Sequence, residues 1–113
     1  MRALNVTKGK ELAGEVLIAD SALKRMKGLL GRRTLDEGHS LWLRPCKGIH
    51  TIGMRFAIDA IFLDKRNMVI AIKRNLLPNR FTIVYLRGSS VLELSAGRLA
   101  ATNTEVGDVI EIV

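Results

Sequence analysis

The chain is poor in cysteine, proline and aromatic residues, with one Cys, two Pro and 4% aromatics among 113 residues. The single Cys46 cannot form an internal disulfide, which favours a reducing compartment. No apolar run approaches the roughly 20 residues that a membrane span needs, and no signal-like apolar segment follows Met1. We therefore expect a cytoplasmic protein with no membrane partner, and the length predicts a single domain over residues 1–113.

The sequence also lacks the motifs of common cofactor sites and hydrolytic mechanisms. Neither glycine-rich phosphate-binding pattern occurs, and the Ser-centred elbow of many hydrolases is missing. His39 and His50 lie well apart, with no His-x-His and no Cys pair. We therefore expect no metal and no cofactor, and this pattern leans against an enzyme.

Positive charge exceeds negative charge, with 18 Lys and Arg against 11 Asp and Glu and a net charge of +7. Most cations are spread along the chain, and only Lys24–Arg33 contains a cluster of them. A basic cluster attracts phosphates, but the aromatic residues that stack on bases are scarce here. Nucleic-acid binding through Lys24–Arg33 is therefore kept only as an alternative.

Short alternating segments separated by turn residues predict a mainly β protein. The expected strands are Ala3–Val6, Glu15–Ile18, Ser40–Arg44, Phe56–Leu63, Met68–Lys73, Phe81–Leu86, Val91–Leu94 and Asp108–Val113. Strands at this spacing are typical of a β-sandwich or barrel. Ala96–Thr102 is expected to form one helical turn.

One segment changes period and predicts a short packed α-helix. Ala22, Met26, Leu29 and Leu30 fall on a single apolar stripe, Asp20 is the expected N-cap, and Gly31 is placed to end the helix.

Four segments of the chain resemble the bacterial and archaeal "domain of unknown function 192" family. Arg25–Arg32 with Leu35 is similar to its "R-x-x-G-L-M-x-R-x-x-L" opening, and Ile49–Asp59 is similar to its central His-Thr motif. Leu92–Gly97 and Gly107-Asp108 resemble its last two blocks. The resemblance implies a small β-sandwich of jelly-roll-like character with a packed helix, and no established biochemical activity.

Two carboxylates interrupt apolar segments. Asp59 lies in a run that is apolar on both faces of the expected strand, as in a fully buried strand. An ionised Asp59 there needs a cation, such as Arg25 or Arg32, or several N–H donors. The residue is either structural or part of a site. Glu93 raises the same question less sharply, because strand alternation could turn it outward.

These polar residues predict a pocket. His50 and Thr51 follow a Gly-containing turn, Trp42 offers a stacking face, and Arg presents a fork suited to carboxylate or phosphate. The predicted lining is Trp42, His50, Thr51 and Asp59, with Arg25 and Arg32 at the mouth. It would suit a small polar or anionic ligand or a peptide segment.

The leading interpretation is a non-enzymatic binding or accessory domain, monomeric or weakly dimeric. The alternative from another class is a small hydrolase or metal-dependent enzyme that uses His50 with Asp59 or Cys46. A Cys–His nucleophile would need the two side chains within hydrogen-bond reach, which their spacing does not ensure.

Overall fold

Eight short strands and two short helices form the chain in the computed structural model, which describes residues 1–113. In chain order they are β1 Ala3–Asn5, β2 Lys10–Ala13, β3 Glu15–Ala19, α1 Ala22–Lys27, β4 His39–Leu43, β5 Ile58–Leu63, β6 Val69–Leu76, β7 Ser90–Ser95, α2 Arg98–Thr102 and β8 Ile110–Ile112. The mainly β prediction is confirmed, and the two sheets do not close into a barrel. The more specific jelly-roll likeness stays a prediction.

The strands form a small sheet of order β2-β1-β8 and a large sheet of order β3-β4-β7-β5-β6. All pairs are antiparallel except β3 with β4, which run parallel. One apolar core joins the two sheets, with Leu12 and Ile110 from the small sheet packed with Trp42, Ile61 and Leu92 from the large one. No helix is long and apolar enough to cross a membrane.

The other face of the large sheet is covered by connecting segments rather than by a third sheet. Leu29 and Leu35 follow α1, while Ile49 and Met54 lie between β4 and β5, and all four are buried against this face. Both faces of the large sheet are therefore covered, and the central strand β7 is almost wholly buried. This second covered face carries the candidate site described below.

The predicted helix is present, but its ends and its buried stripe are wrong. Ser21, not Asp20, is the N-cap, and its hydroxyl accepts the backbone N–H of Lys24. The helix ends at Gly28, whose positive φ of 46° and N–H bond to the Lys24 carbonyl stop it one turn before Gly31. No helical residue is buried, and Met26 is largely exposed.

Two strand assignments also differ from the sequence prediction. Lys10–Ala13 forms the separate strand β2, which the alternation did not reveal. The predicted strand Phe81–Leu86 is wrong, because only Phe81 forms an isolated antiparallel bridge, with His50, and the ladder does not continue beyond it. A β ladder needs bonds at alternate residues. The predicted helical turn at Ala96–Thr102 is confirmed as α2.

Asp59 is buried on the face of β5 that belongs to the core between the sheets, and three backbone groups satisfy it. The N–H groups of Asn75, Gly97 and Leu99 donate to its carboxylate at 2.8, 3.1 and 2.9 Å. No side chain within α2 caps that helix, so Asp59 supplies the cap from a neighbouring strand. The expected pairing with Arg25 or Arg32 is wrong, since neither guanidinium bonds to this carboxylate. The N–H donors that the sequence left open as the alternative are the partners.

Asp59→Ala leaves three N–H groups without their acceptor, two of them at the start of α2. We expect this substitution to lower the free energy of unfolding by roughly 3 kcal/mol or more. Urea denaturation measures the change, with Asp36→Ala at an exposed carboxylate as the matched control. Equal stabilities of the two variants would contradict this role for Asp59.

Candidate functional site

A cleft of about 340 Å³ opens on the covered face of the large sheet, beside α1. Its walls come from α1 and the turn after it, from the segment that follows β4, and from the central strand β7. The lining residues are Ala22, Arg25, Met26, Lys27, Gly28, Leu29, Leu30, Leu43, Cys46, Gly48, Ile49, His50, Met54 and Glu93. We call this the α1 cleft.

Glu93 reaches the α1 cleft from the middle of the sheet. Its strand register places it opposite Leu41 on one side and Ala60 on the other, and both neighbours belong to the apolar cluster of this face. Glu93 is only 4% exposed, and its carboxyl group has no hydrogen-bond or ion-pair partner in the protein. Its oxygens are not among the fully buried side-chain atoms without a partner, so they keep some contact with the solvent of the cleft. Burial raises the pKa of Glu93 to about 8, so the group holds a proton at neutral pH.

Cys46 lies next to Glu93 in the α1 cleft and is half-buried. Burial raises the pKa of the Cys46 thiol, while a bond to Gly48 and the charge of Arg25 oppose the rise. The charge that Glu93 gains when it ionises, above about pH 8, acts in the same direction as burial. The thiol donates to the Gly48 carbonyl at 3.1 Å. A thiol with a raised pKa is a poor nucleophile at neutral pH, because the thiolate is the reactive form.

Arg25 and His50 occupy the two walls of the α1 cleft. Arg25 is partly exposed on α1, and its only hydrogen bond is a long one of 3.4 Å to the Arg44 carbonyl, so most of its donors are free. The His50 ring accepts the Ile52 N–H at Nδ1, 3.3 Å away, and lies near the ring of Phe81. Neither His50 nitrogen bonds to Cys46.

Of the six residues predicted to line one pocket, only Arg25 and His50 come together in the α1 cleft. Trp42 and Asp59 lie on the opposite face of the sheet, because strand alternation turns them toward the core between the sheets. Trp42 packs there, with the Arg44 guanidinium 4.4 Å from its ring centroid.

The other two predicted residues also lie outside the α1 cleft. Thr51 is fully buried, and its hydroxyl donates to the Leu77 carbonyl at 2.6 Å and accepts the Arg80 N–H at 2.9 Å. It therefore ties the segment after β4 to the turn after β6. Arg32 is exposed and lines two other hollows near β3. The six residues predicted to line one pocket thus lie in separate parts of the fold. A ligand role for any of them stays a prediction.

Nowhere in the chain do three or more His, Cys, Asp or Glu side chains come together with the geometry of a metal site. In particular, His50 and Asp59 are separated by the sheet.

Residues 4–112 match the model of the DUF192 family, described as "Uncharacterized ACR". The chain belongs to the DUF192 family. The family resemblance of the four sequence segments is therefore confirmed. Within DUF192, a UPF0127 protein of Pyrococcus furiosus is 38% identical over 111 residues, which cover 96% of this chain and 95% of the relative. A UPF0127 protein of Pyrococcus horikoshii is 33% identical, with 96% of each chain covered.

Solved structures share this DUF192 fold. A crystal structure of a protein of unknown function from Novosphingobium aromaticivorans aligns with a TM-score of 0.85 at 20% identity, covering 98% of this chain and 82% of that one. A structure from Sinorhizobium meliloti aligns with a TM-score of 0.80 at 23% identity, covering 97% and 89%. At such identities the likeness concerns the fold alone.

Glu93 was missing from the predicted site because a single carboxylate in an alternating strand is compatible with an outward position. Its apolar neighbours on both sides, Leu92 and Leu94, were the signal of a strand buried on both faces. Cys46 was weighed only as a nucleophile. Its position in the α1 cleft depends on a turn that no sequence pattern specified.

The pKa of Glu93 predicts a pH-dependent stability. Folded protein keeps a proton on Glu93 up to about pH 8, whereas the unfolded chain releases it near the ordinary value of 4.5. The contribution of this group is therefore fully present below 4.5 and is lost as the pH rises toward 8. Glu93→Gln mimics the protonated carboxyl group and should escape this loss, so the two proteins should diverge by a few kcal/mol between these pH values.

Chemical denaturation of the native protein and of Glu93→Gln between pH 4.5 and 8 measures the difference in their free energies of unfolding. The contributions of the other titrating groups are the same in both proteins and cancel. A difference between the two proteins that did not change with pH would contradict the buried, protonated state of Glu93.

Proposed function

We propose that this protein is a binding module that holds a small anionic molecule in the α1 cleft. The observation that carries the proposal is Glu93, a nearly buried carboxyl group that lines the cleft and has no partner in the protein. A buried polar group without a partner costs free energy, which a ligand that bonds to it would recover. A cytoplasmic location stays an expectation.

The charge of the α1 cleft favours an anion. A protonated Glu93 can donate one hydrogen bond to a carboxylate or phosphate oxygen, and Arg25 and Lys27 add cationic donors in the wall. The volume of about 340 Å³ lies at the lower end of the usual range for small-ligand pockets. The apolar part of the lining, including Leu43 and Ile49, suits a short hydrocarbon part of the same molecule.

The enzymatic alternative has less support. Cys46 and His50 share the α1 cleft, but the thiol bonds to a carbonyl and its pKa is raised, so a Cys–His nucleophile is disfavoured. A pairing of His50 with Asp59 would have to cross the sheet. Nucleic-acid binding through Lys24–Arg33 stays an alternative that no contact of the described residues favours.

Thermal denaturation with inorganic phosphate and a set of small mono- and dicarboxylates tests the proposal. At a concentration about 100 times the Kd, a bound anion stabilises the folded state by roughly 2.7 kcal/mol, which raises the Tm by several degrees. We expect at least one of these anions to do so near pH 6.5, and Arg25→Ala to abolish the shift. Arg33→Ala, outside the cleft, is the matched control.

The pH dependence sharpens this test. Above pH 8 Glu93 ionises and repels an anion, so the shift should disappear in the native sequence. In Glu93→Gln the amide keeps a donor at every pH, and the shift should persist there. The proposal fails if no anion raises the Tm, or if Arg25→Ala responds as the native protein does.

A further inference from the structure

Four large apolar side chains are displayed on one short segment, residues 81–86. Phe81, Ile83, Val84 and Leu86 are between 62% and 81% exposed. Singly exposed apolar residues are common on protein surfaces, but a contiguous group of this kind marks an interaction surface. We call this group, on residues 81–86, the apolar segment.

The apolar segment is held in place by its other residues. Thr82 and Tyr85 donate backbone N–H bonds of 2.9 Å to the carbonyls of Ile49 and Lys47, and the Thr82 hydroxyl accepts the Ile49 N–H at 2.9 Å. The Tyr85 ring packs on Phe62, with 4.5 Å between ring centroids. The exposed apolar side chains are thus presented outward from an anchored backbone, so burying them on a partner requires little further ordering of the chain.

The surroundings of the apolar segment are cationic. Arg80 and Arg87 flank it directly, and the Lys47 ammonium donates to the Leu86 carbonyl at 3.1 Å. No Asp or Glu occurs between Asp64 and Glu93, nor between Glu37 and Asp59, so neither this segment nor the segment it bonds to contains an acid.

The apolar surface continues on one side into a shallow hollow. Met68 and Val106, both exposed, line this hollow together with Val84 and Leu86. Asp64 also borders it, but its carboxylate accepts the N–H groups of two residues in its own turn, at 2.9 and 3.0 Å. Arg87 is the one cation that lines this hollow, so the excess of positive charge lies beside the apolar segment itself.

We infer that the apolar segment is a contact site for an anionic lipid surface. Exposed apolar side chains enter the boundary between headgroups and acyl chains, while flanking Lys and Arg residues bind the negative headgroups. A second copy of the chain fits less well, because it would bring Arg80, Arg87 and Lys47 against the same cations and carries the same net charge of +7. The expectation from the sequence that a membrane is not a partner rested on the absence of a membrane-spanning segment. A protein that contacts only the membrane surface does not need such a segment.

Co-sedimentation with lipid vesicles tests the inference. We expect binding to phosphatidylcholine vesicles that contain phosphatidylglycerol, much weaker binding to phosphatidylcholine alone, and a loss of binding at high salt. The pair Ile83→Ser and Leu86→Ser should abolish binding, whereas Leu17→Ser with Leu23→Ser, two exposed apolar residues elsewhere, should leave it unchanged. Circular dichroism and the Tm verify that each variant is folded.

Two double variants with the same change in net charge distinguish binding through the apolar segment from attraction by the overall charge of the protein. Arg80→Glu with Arg87→Glu should weaken binding at least about tenfold, since each basic residue near an anionic surface contributes about a factor of five. Arg32→Glu with Arg33→Glu makes the same change in net charge near β3 and should have a much smaller effect. Equal effects of the two pairs would overturn the inference.

Three other results would also overturn it. The first is the absence of binding to any vesicle, and the second is binding that Ile83→Ser with Leu86→Ser does not reduce. The third is a dimer in solution, measured by light scattering, that this same pair of substitutions dissociates, because a second copy would then cover the apolar segment.

Discussion

The pairing of β7 with β4 and β5 is the constraint on which the rest of the structure depends. This register fixes which face of the large sheet each side chain reaches, so Leu92 and Leu94 enter the core between the sheets while Glu93 points to the other face. A shift of one residue would exchange the two sets and place a carboxyl group between the sheets. The cost of burying that carboxyl group without a partner opposes such a shift and holds the register in place.

Two carboxyl groups buried in the same sheet illustrate how differently such groups can be used. Asp59 is satisfied by three backbone N–H groups and joins β5 to the end of β6 and to α2. Glu93 has no protein partner, and burial keeps it protonated at neutral pH. Asp59, whose hydrogen bonds are satisfied within the protein, has a structural role. Glu93 has no partner and lies beside an open cleft with Arg25 in its wall, so its carboxyl group is available to a ligand.

Sequence reasoning found the buried strands because β-branched and apolar runs bounded by turn residues are strong local signals. It also identified Asp59 as a carboxylate in need of partners, but it could not find backbone donors that lie far along the chain. The 81–86 segment was misjudged for a related reason. Ile83 and Val84 favour a strand locally, yet the pairing with the neighbouring segment stops after a single bridge at Phe81. The six predicted residues do not share one pocket, because the face of the sheet that each side chain reaches depends on the strand register. The α1 cleft itself is formed partly by turns whose conformation no sequence pattern specified.

Glu93 lines the α1 cleft without a partner in the protein, and the proposed anion site depends on its carboxyl group being protonated. The most direct measurement is a carbon-13 NMR titration of its side-chain carboxyl group, assigned by comparison with Glu93→Gln. We expect a midpoint near the pKa of about 8 that burial produces. A midpoint close to the ordinary 4.5 would show a solvated or paired carboxylate and would contradict the protonated state.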